Sequence, residues 1–247
     1  FHICRIPMIT PQKHVINSRT LTTHFTVQEE LNIDASRNYL FDLSYLGVLE
    51  LQGDKALDYL QGQVTCDLRQ LTENAFCQGA LCNLKGRILG LMDIIQWTGI
   101  KLVLPVDMLE TTQSSLAKTA QLSRIRLSPN PDFKIFGFYL NNPEDILPVM
   151  TDFPDTLHAQ ISTEDWCCYH AGFGFYIFLV SSDRQALFSK PFIEKNQFLG
   201  SLTWHTLQLQ KSRFEIYPES RGLFLPHRLH LHQTSYIAFN KGCYKGQ

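Results

Sequence analysis

Across its 247 residues the chain has no apolar run of membrane-spanning length. Its longest nearly unbroken one, Ala171 to Val180, has ten residues and includes Gly172 and Gly174, whereas a spanning helix needs about 20. An excess of charge is also lacking. Lys plus Arg number 22 and Asp plus Glu 23, a formal charge of −1, so no overall field draws in nucleic acid or an anionic membrane. Cysteines are few and odd in number, seven in all, which excludes a disulfide framework and points to a reducing compartment. Phe1 to Thr20 has no apolar core of secretory-leader length, being broken by Arg5, Pro7, Pro11, Lys13 and Arg19. There is no Gly-x-x-x-x-Gly-Lys loop, Gly-x-Ser-x-Gly elbow or His-Glu-x-x-His pair, and no low-complexity tract or short-period repeat. What is present, 44% apolar and 18% charged residues, suits one large globular domain or two modest ones. The chain begins without Met and stops at Gln247 inside a glycine-rich motif, so it reads as truncated.

Val48 to Leu51 reads as a strand stopped at Gly53, after which Asp54 caps a helix with Ala56, Leu57 and Leu60 on one face, ending near Gly62. Arg87 to Trp97 and Ile100 to Leu104, split by Thr98-Gly99, read as a hairpin. Asp107 with Glu110 resembles a capping box ahead of a helix whose buried stripe is Leu109, Leu116 and Ala117. Ser128-Pro129-Asn130-Pro131-Asp132 is the clearest break. Beyond it come strands at Phe133–Leu140 and Phe173–Val180. A helix capped by Ser182 and Gln185 runs through Lys190, and another spans Leu202–Leu209. Each half mixes strands and helices, with hairpins arguing for antiparallel pairing: an α+β protein of two similar units. The expected division is an extension at 1–24, units at 25–127 and 132–212, and a connecting segment at 213–247.

The strongest local signal is Phe239-Asn240-Lys241-Gly242-Cys243-Tyr244-Lys245-Gly246-Gln247. Nearby cations favour thiolate over thiol, and glycines let a partner approach the sulfur. The ordinary alternative is a small half-buried Cys in a tight turn. His227, His230 and His232, with the last two on one face of a strand, could join Cys243 around zinc, but no Cys-x-x-Cys accompanies them, so exposed histidines are preferred and no metal is expected. Cys77, Cys82, Cys167 and Cys168 do not fit an iron–sulfur spacing and read as buried small residues. Asn83 to Arg87 is a turn feeding a strand, and Arg87 either clamps a carboxylate bidentately or faces solvent.

Phe41-Asp42-Leu43-Ser44, the block Gly53 to Leu68, and Gly86-Arg87-Ile88-Leu89 resemble the N-terminal blocks of YgfZ-type folate-binding proteins, relatives of the glycine-cleavage T-protein, an aminomethyltransferase. Lys241-Gly242-Cys243-Tyr244-Lys245-Gly246-Gln247 resembles the signature of that branch, and Phe224-Leu225-Pro226-His227 the segment leading into it. The resemblance implies three domains around a tetrahydrofolate-binding cavity, the final barrel following Gln247, and a role in assembling or repairing iron–sulfur clusters of client enzymes. It marks Cys243 as the functional thiol, with Lys241 and Tyr244 beside it and Gly242, Lys245, Gly246 and Gln247 completing the motif. Candidate folate contacts are Gln63, Thr65 and Asp67 just after a helix end, Arg87 for the glutamyl carboxylate, and Trp204 for the pterin. For these residues caps and core are the ordinary alternatives.

Departures from the aminomethyltransferase pattern matter chemically. Its Asp pair falls on Gly90 and Leu91, the Glu before its Gly-Phe on Gly172, and its Arg-Ile pair on Gln208-Leu209. No carboxylate is then placed to handle a proton or a developing iminium. The expectation is therefore a tetrahydrofolate-binding accessory protein of iron–sulfur metabolism, connected with tRNA modification, leaning away from an enzyme. Its partners would be iron–sulfur clients or assembly factors, with no direct nucleic acid and no membrane. It is read as a monomer of the cytoplasm, or alternatively of the mitochondrial matrix. The alternatives are a one-carbon transferase with Asp93 or Asp67 as relocated acid, and a silent client-binding module.

Overall fold

The structure, a computed structural model, describes residues 7, 8, 10–145 and 152–247. In chain order the first strands and helix are β1 (Gln12–Ile16), β2 (Arg19–Thr23), α1 (Val27–Leu31), β3 (Tyr39–Asp42) and β4 (Leu46–Gln52). Then come α2 (Ala56–Gln61), β5 (Cys77–Cys82), β6 (Ile88–Gln96), β7 (Ile100–Pro105), α3 (Leu109–Leu122) and β8 (Arg126–Pro129). The rest are β9 (Phe133–Tyr139), β10 (Gln160–Ser162), β11 (Trp166–Gly172), β12 (Phe175–Ser181), α4 (Gln185–Glu194), β13 (Phe198–Leu199) and α5 (Ser201–Gln210). No described helix is long and apolar enough to cross a membrane.

The fold is α+β with largely antiparallel sheets in two compact units, but neither unit is a continuous stretch. One comprises residues up to Tyr45 with Asp132–Arg213, the other Leu46–Pro131 with Phe214–Gln247. The expected split into 25–127 and 132–212 is corrected by β3. All four of its residues are buried, so it needs a neighbour on each edge, and it finds them in β9 and β13. The expected connecting segment 213–247 is likewise part of the second unit, and the expected extension contains the β1–β2 hairpin.

The first unit has a six-stranded sheet in the order β10-β11-β12-β9-β3-β13, with only β13–β3 parallel among its pairings. Phe136, Phe138, Phe178, Phe188 and Phe192 fill one side of it. Fully buried Glu30 ties α1 to α5: it accepts from the His24 and Phe25 amides (2.5 and 3.1 Å), the Gly200 amide (2.7 Å) and the Thr203 hydroxyl (3.0 Å). Asp42 accepts from His24 Nε2 at 3.2 Å and from the Lys134 ammonium. Burial raises the Asp42 carboxyl, but the His24 hydrogen bond and the Lys134 charge outweigh it and hold its pKa at about 2. A carboxylate depressed on folding stabilises above its unfolded pKa and loses that contribution as pH falls through the folded value. Acid unfolding is therefore expected to remove about 2 kcal/mol between pH 4 and pH 2 in the native chain. In D42N the fall over this range should be smaller by that amount, as urea midpoints will show.

The second unit has a five-stranded antiparallel sheet in the order β5-β6-β7-β4-β8. The β6–β7 hairpin forms as expected, its turn made by Thr98 and Gly99 at φ 45° and 102°. Pro129, read as a break, is instead accommodated in β8, opposite Leu49, because β8 is an edge strand with no ladder partner to lose on its outer side. The capping readings at Asp54, Asp107 and Ser182 are corrected. Helices α2, α3 and α4 start after Lys55, Met108 and Arg184 without side-chain caps, since tight turns precede them and two of these are 3-10 turns. The buried stripe of α3 is Thr112, Leu116 and Ala120, with Ala117 exposed.

Candidate functional site at the C-terminal motif

The site lies wholly in the second unit, where the segment from Phe214 returns to the residues after α2. Thr65 joins the two. Its amide donates to the Ala80 carbonyl (3.0 Å), and its hydroxyl accepts from the Ala80 amide (2.9 Å) and donates to the Tyr236 carbonyl (2.6 Å). Its own carbonyl accepts from the Ala238 amide at 2.9 Å. Further along, the Lys245 amide donates to Gly62 O at 3.0 Å. Gly246, at φ +83°, lies against the 83–86 turn: a Cβ there would stand 2.2 Å from Asn83 O, and one on Gly86 2.8 Å from Gly246 O. Backbone oxygens cannot yield cheaply, so both positions require glycine.

Lys241 is the anchor. Its ammonium donates to the carbonyls of Gln61 (2.6 Å), Val64 (2.8 Å) and Cys66 (2.7 Å), and to Gln61 Oε1 (3.3 Å), with the Tyr244 ring centroid 5.3 Å away. Burial lowers the pKa of this ammonium, against the opposing pull of Cys66 and Asp67. The expectation that Lys241 and Lys245 both promote a Cys243 thiolate is corrected. Lys241 points inward because three carbonyls without other strong donors outcompete solvent for it, and the charge of Lys245 acts on Cys82, whose thiol burial pushes up to about 11. Cys243 and Gly242 are left exposed. Gln247 is exposed too, and Tyr244 is half-buried.

The candidate folate contacts separate. Thr65 is fully buried and its groups are committed as above. Asp67 caps the turn Leu68–Gln70 and accepts from Gln61 Nε2 (2.9 Å) and bidentately from Arg69 (3.0 and 2.7 Å). The Arg69 hydrogen bond, against a smaller effect of burial, holds its carboxyl well below the usual range. Arg69 also donates to Asn240 O at 3.0 Å, another tether on the motif. Gln63 differs: its amide oxygen is buried and has no hydrogen-bond partner among the described residues, an acceptor left unpaired. Arg87 is exposed, with one nitrogen on Leu223 O at 2.5 Å. Trp204 belongs to the other unit, where it is 3% exposed, tilted against Phe41 and edge-on to Phe175. A Cβ on Gly137 would lie 2.6 Å from its ring. It is a core residue with no face left for a pterin, and the stacking expectation is corrected. Of the candidate contacts, Thr65, Asp67 and Trp204 are thus committed to the fold, while Gln63 Oε1 and the exposed part of Arg87 are not.

Gly90 and Leu91 lie in β6 opposite Leu81 and Ala80, so no carboxylate stands at either position. Asp93 receives the Gln78 amide at 3.3 Å. Gly172, at φ +92°, has the Arg213 guanidinium 2.8 Å from where a Cβ would be, so a Glu there would displace Arg213. His227 and His232 lie in two successive 3-10 turns, with left-handed His230 between them, not on a strand. Among the described residues no three His, Cys, Asp or Glu side chains are grouped to hold a metal. Sequence reading missed Gln61, Cys66 and Arg69 as holders of the motif. Two of these act mainly through backbone carbonyls, which carry no residue-type signal.

No family model matches the chain. Among curated proteins it is similar to the tRNA-modifying protein YgfZ of Colwellia psychrerythraea, 23% identical over 211 residues, covering 85% of this chain and 65% of that protein. It is also similar to the tRNA-modifying protein YgfZ of Yersinia pseudotuberculosis, 26% identical over 214 residues, covering 84% and 64%. The chain therefore spans a little under two thirds of the length of these relatives. Among solved structures, the glycine cleavage system aminomethyltransferase T from Bartonella henselae superposes with a TM-score of 0.63 at 13% identity, over 81% of this chain and 58% of that one. The family resemblance thus holds in both respects: the relatives are named YgfZ proteins, and the fold is that of the aminomethyltransferase.

Proposed function

We propose that this chain is part of a tetrahydrofolate-binding accessory protein that assembles or repairs iron–sulfur clusters on client enzymes, including clients that modify tRNA, and that Cys243 is its working thiol. One observation carries this reading: Lys241 spends its charge on three backbone carbonyls, and the segment so anchored presents Cys243 to solvent. The name of the relatives supports the link to tRNA modification. The balanced charge and the sparse cysteines, free among the described residues, support a cytoplasmic protein without direct nucleic-acid contact.

Calorimetric titration of the full-length protein with tetrahydrofolate tests the folate half. Saturable binding is expected, weakened about tenfold or more in Gln63→Leu, since a buried acceptor that pairs only with the ligand contributes on the order of 1–2 kcal/mol. Absence of binding would leave the client-binding module, and turnover with a tetrahydrofolate acceptor would restore the one-carbon transferase.

A further inference from the structure

Two buried thiols lie against each other beside the carbonyl that Lys241 grips. Val64 bridges Leu81 in the antiparallel sense, and the Thr65 amide donates to Ala80 O. Continuing that register sets Cys66 opposite Gly79, with Cys77 two residues along β5 and therefore on the same face. The Cβ that Gly79 lacks would stand 2.8 Å from Cys66 Sγ, so this sulfur occupies the space over the glycine. From there it reaches Cys77, with which it shares a hydrogen bond. Cys77 Sγ lies 3.8 Å from the Asp67 carbonyl. Both thiols are free, at 2% and 7% exposure, which admits only a small oxidant.

We propose that Cys66 and Cys77 are a redox-active dithiol, closed to an intramolecular disulfide by a small peroxide. Cys77 is the more accessible of the two thiols, and its pairing with Cys66 lowers its pKa, so Cys77 is the nucleophile. Its thiolate attacks one peroxide oxygen, the O–O bond breaks, and hydroxide leaves with Cys77 as sulfenic acid. Cys66 sulfur then attacks Cys77 sulfur, and the Cys66 proton leaves with the displaced hydroxyl as water. In total two thiols lose two electrons and two protons, and hydrogen peroxide becomes two waters. The closed ring encloses Asp67 and Arg69, the tether to Asn240, and fixes the residue whose carbonyl holds Lys241. The oxidation state of the pair is thereby written into the support of the Cys243 segment. The dithiol stands independently of the folate reading.

The experiment treats reduced full-length protein with hydrogen peroxide, denatures it, alkylates the remaining thiols and maps tryptic peptides without reduction. Cleavage after Arg69 separates the two cysteines, so a disulfide appears as a cross-linked pair of peptides, with two alkylatable thiols lost per chain and both recovered on reduction. The link must vanish in C77S, which distinguishes Cys77 from Cys82 on the same peptide. Alkylated Cys66 and Cys77 at a peroxide dose that oxidises Cys243 would overturn the proposal. So would a link that survives in C77S, or one joining either residue to another cysteine. The wild-type map needs no variant, so poor folding of C77S would leave the first result decisive, with fragmentation of the linked peptides assigning the sulfur.

Discussion

Replacing Lys241 by Met is expected to lower the unfolding free energy by about 3 kcal/mol, since each hydrogen bond from a charged donor contributes roughly 1.5–3 kcal/mol and three are lost together. Part of that loss is offset, because the variant no longer desolvates an ammonium. The carbonyls of Gln61, Val64 and Cys66 are left facing a thioether that donates nothing. Against a total stability of about 5–15 kcal/mol this is a large fraction, and it should appear as a lower urea midpoint with an unchanged slope. Lys241→Arg keeps the charge but is expected to recover only part of the loss, because a planar fork cannot converge on three carbonyls as a rotating ammonium does. A loss below about 1 kcal/mol in the Met variant would mean that water replaces the ammonium, and that Lys241 is not the anchor.

The parts of this architecture readable from sequence are those set by local chemistry. Thr98-Gly99 announces the β6–β7 turn because its residues take positive φ, and Ser201 to Gln210 forms the expected helix around Trp204. The placement of β3 was not legible. Tyr39 to Asp42 is as apolar as any central strand, and nothing local says that its partners lie about a hundred residues downstream or more, in β9 and β13. The motif from Lys241 to Gln247 announced itself by composition, and Gly246 shows why part of that composition is needed. The role of Lys241 was misread, because adjacency to Cys243 in sequence suggested adjacency in charge. The side chain instead follows acceptors belonging to residues 61–66. Trp204 fared similarly: an aromatic at a family-like position is equally suited to a ligand or to a core, and only Gly137 beneath its ring decides the matter.

Cys243→Ala is expected to leave the fold intact, since the side chain is exposed and such substitutions usually stay within about 0.5 kcal/mol. Function should not survive it. With no carboxylate at Gly90 or Leu91, and with Lys241 and Asp67 committed to holding the segment in place, the proposed function leaves the chemistry to the Cys243 sulfur. Cys243→Ser, which keeps the size but forms no thiolate near neutral pH, should be equally inactive. The decisive measurement is the activity of iron–sulfur client enzymes in cells whose own copy of the protein is replaced by the Cys243→Ala form. The account predicts client activity as low as in cells lacking the protein altogether, with normal amounts of folded variant. Full client activity in those cells would contradict it.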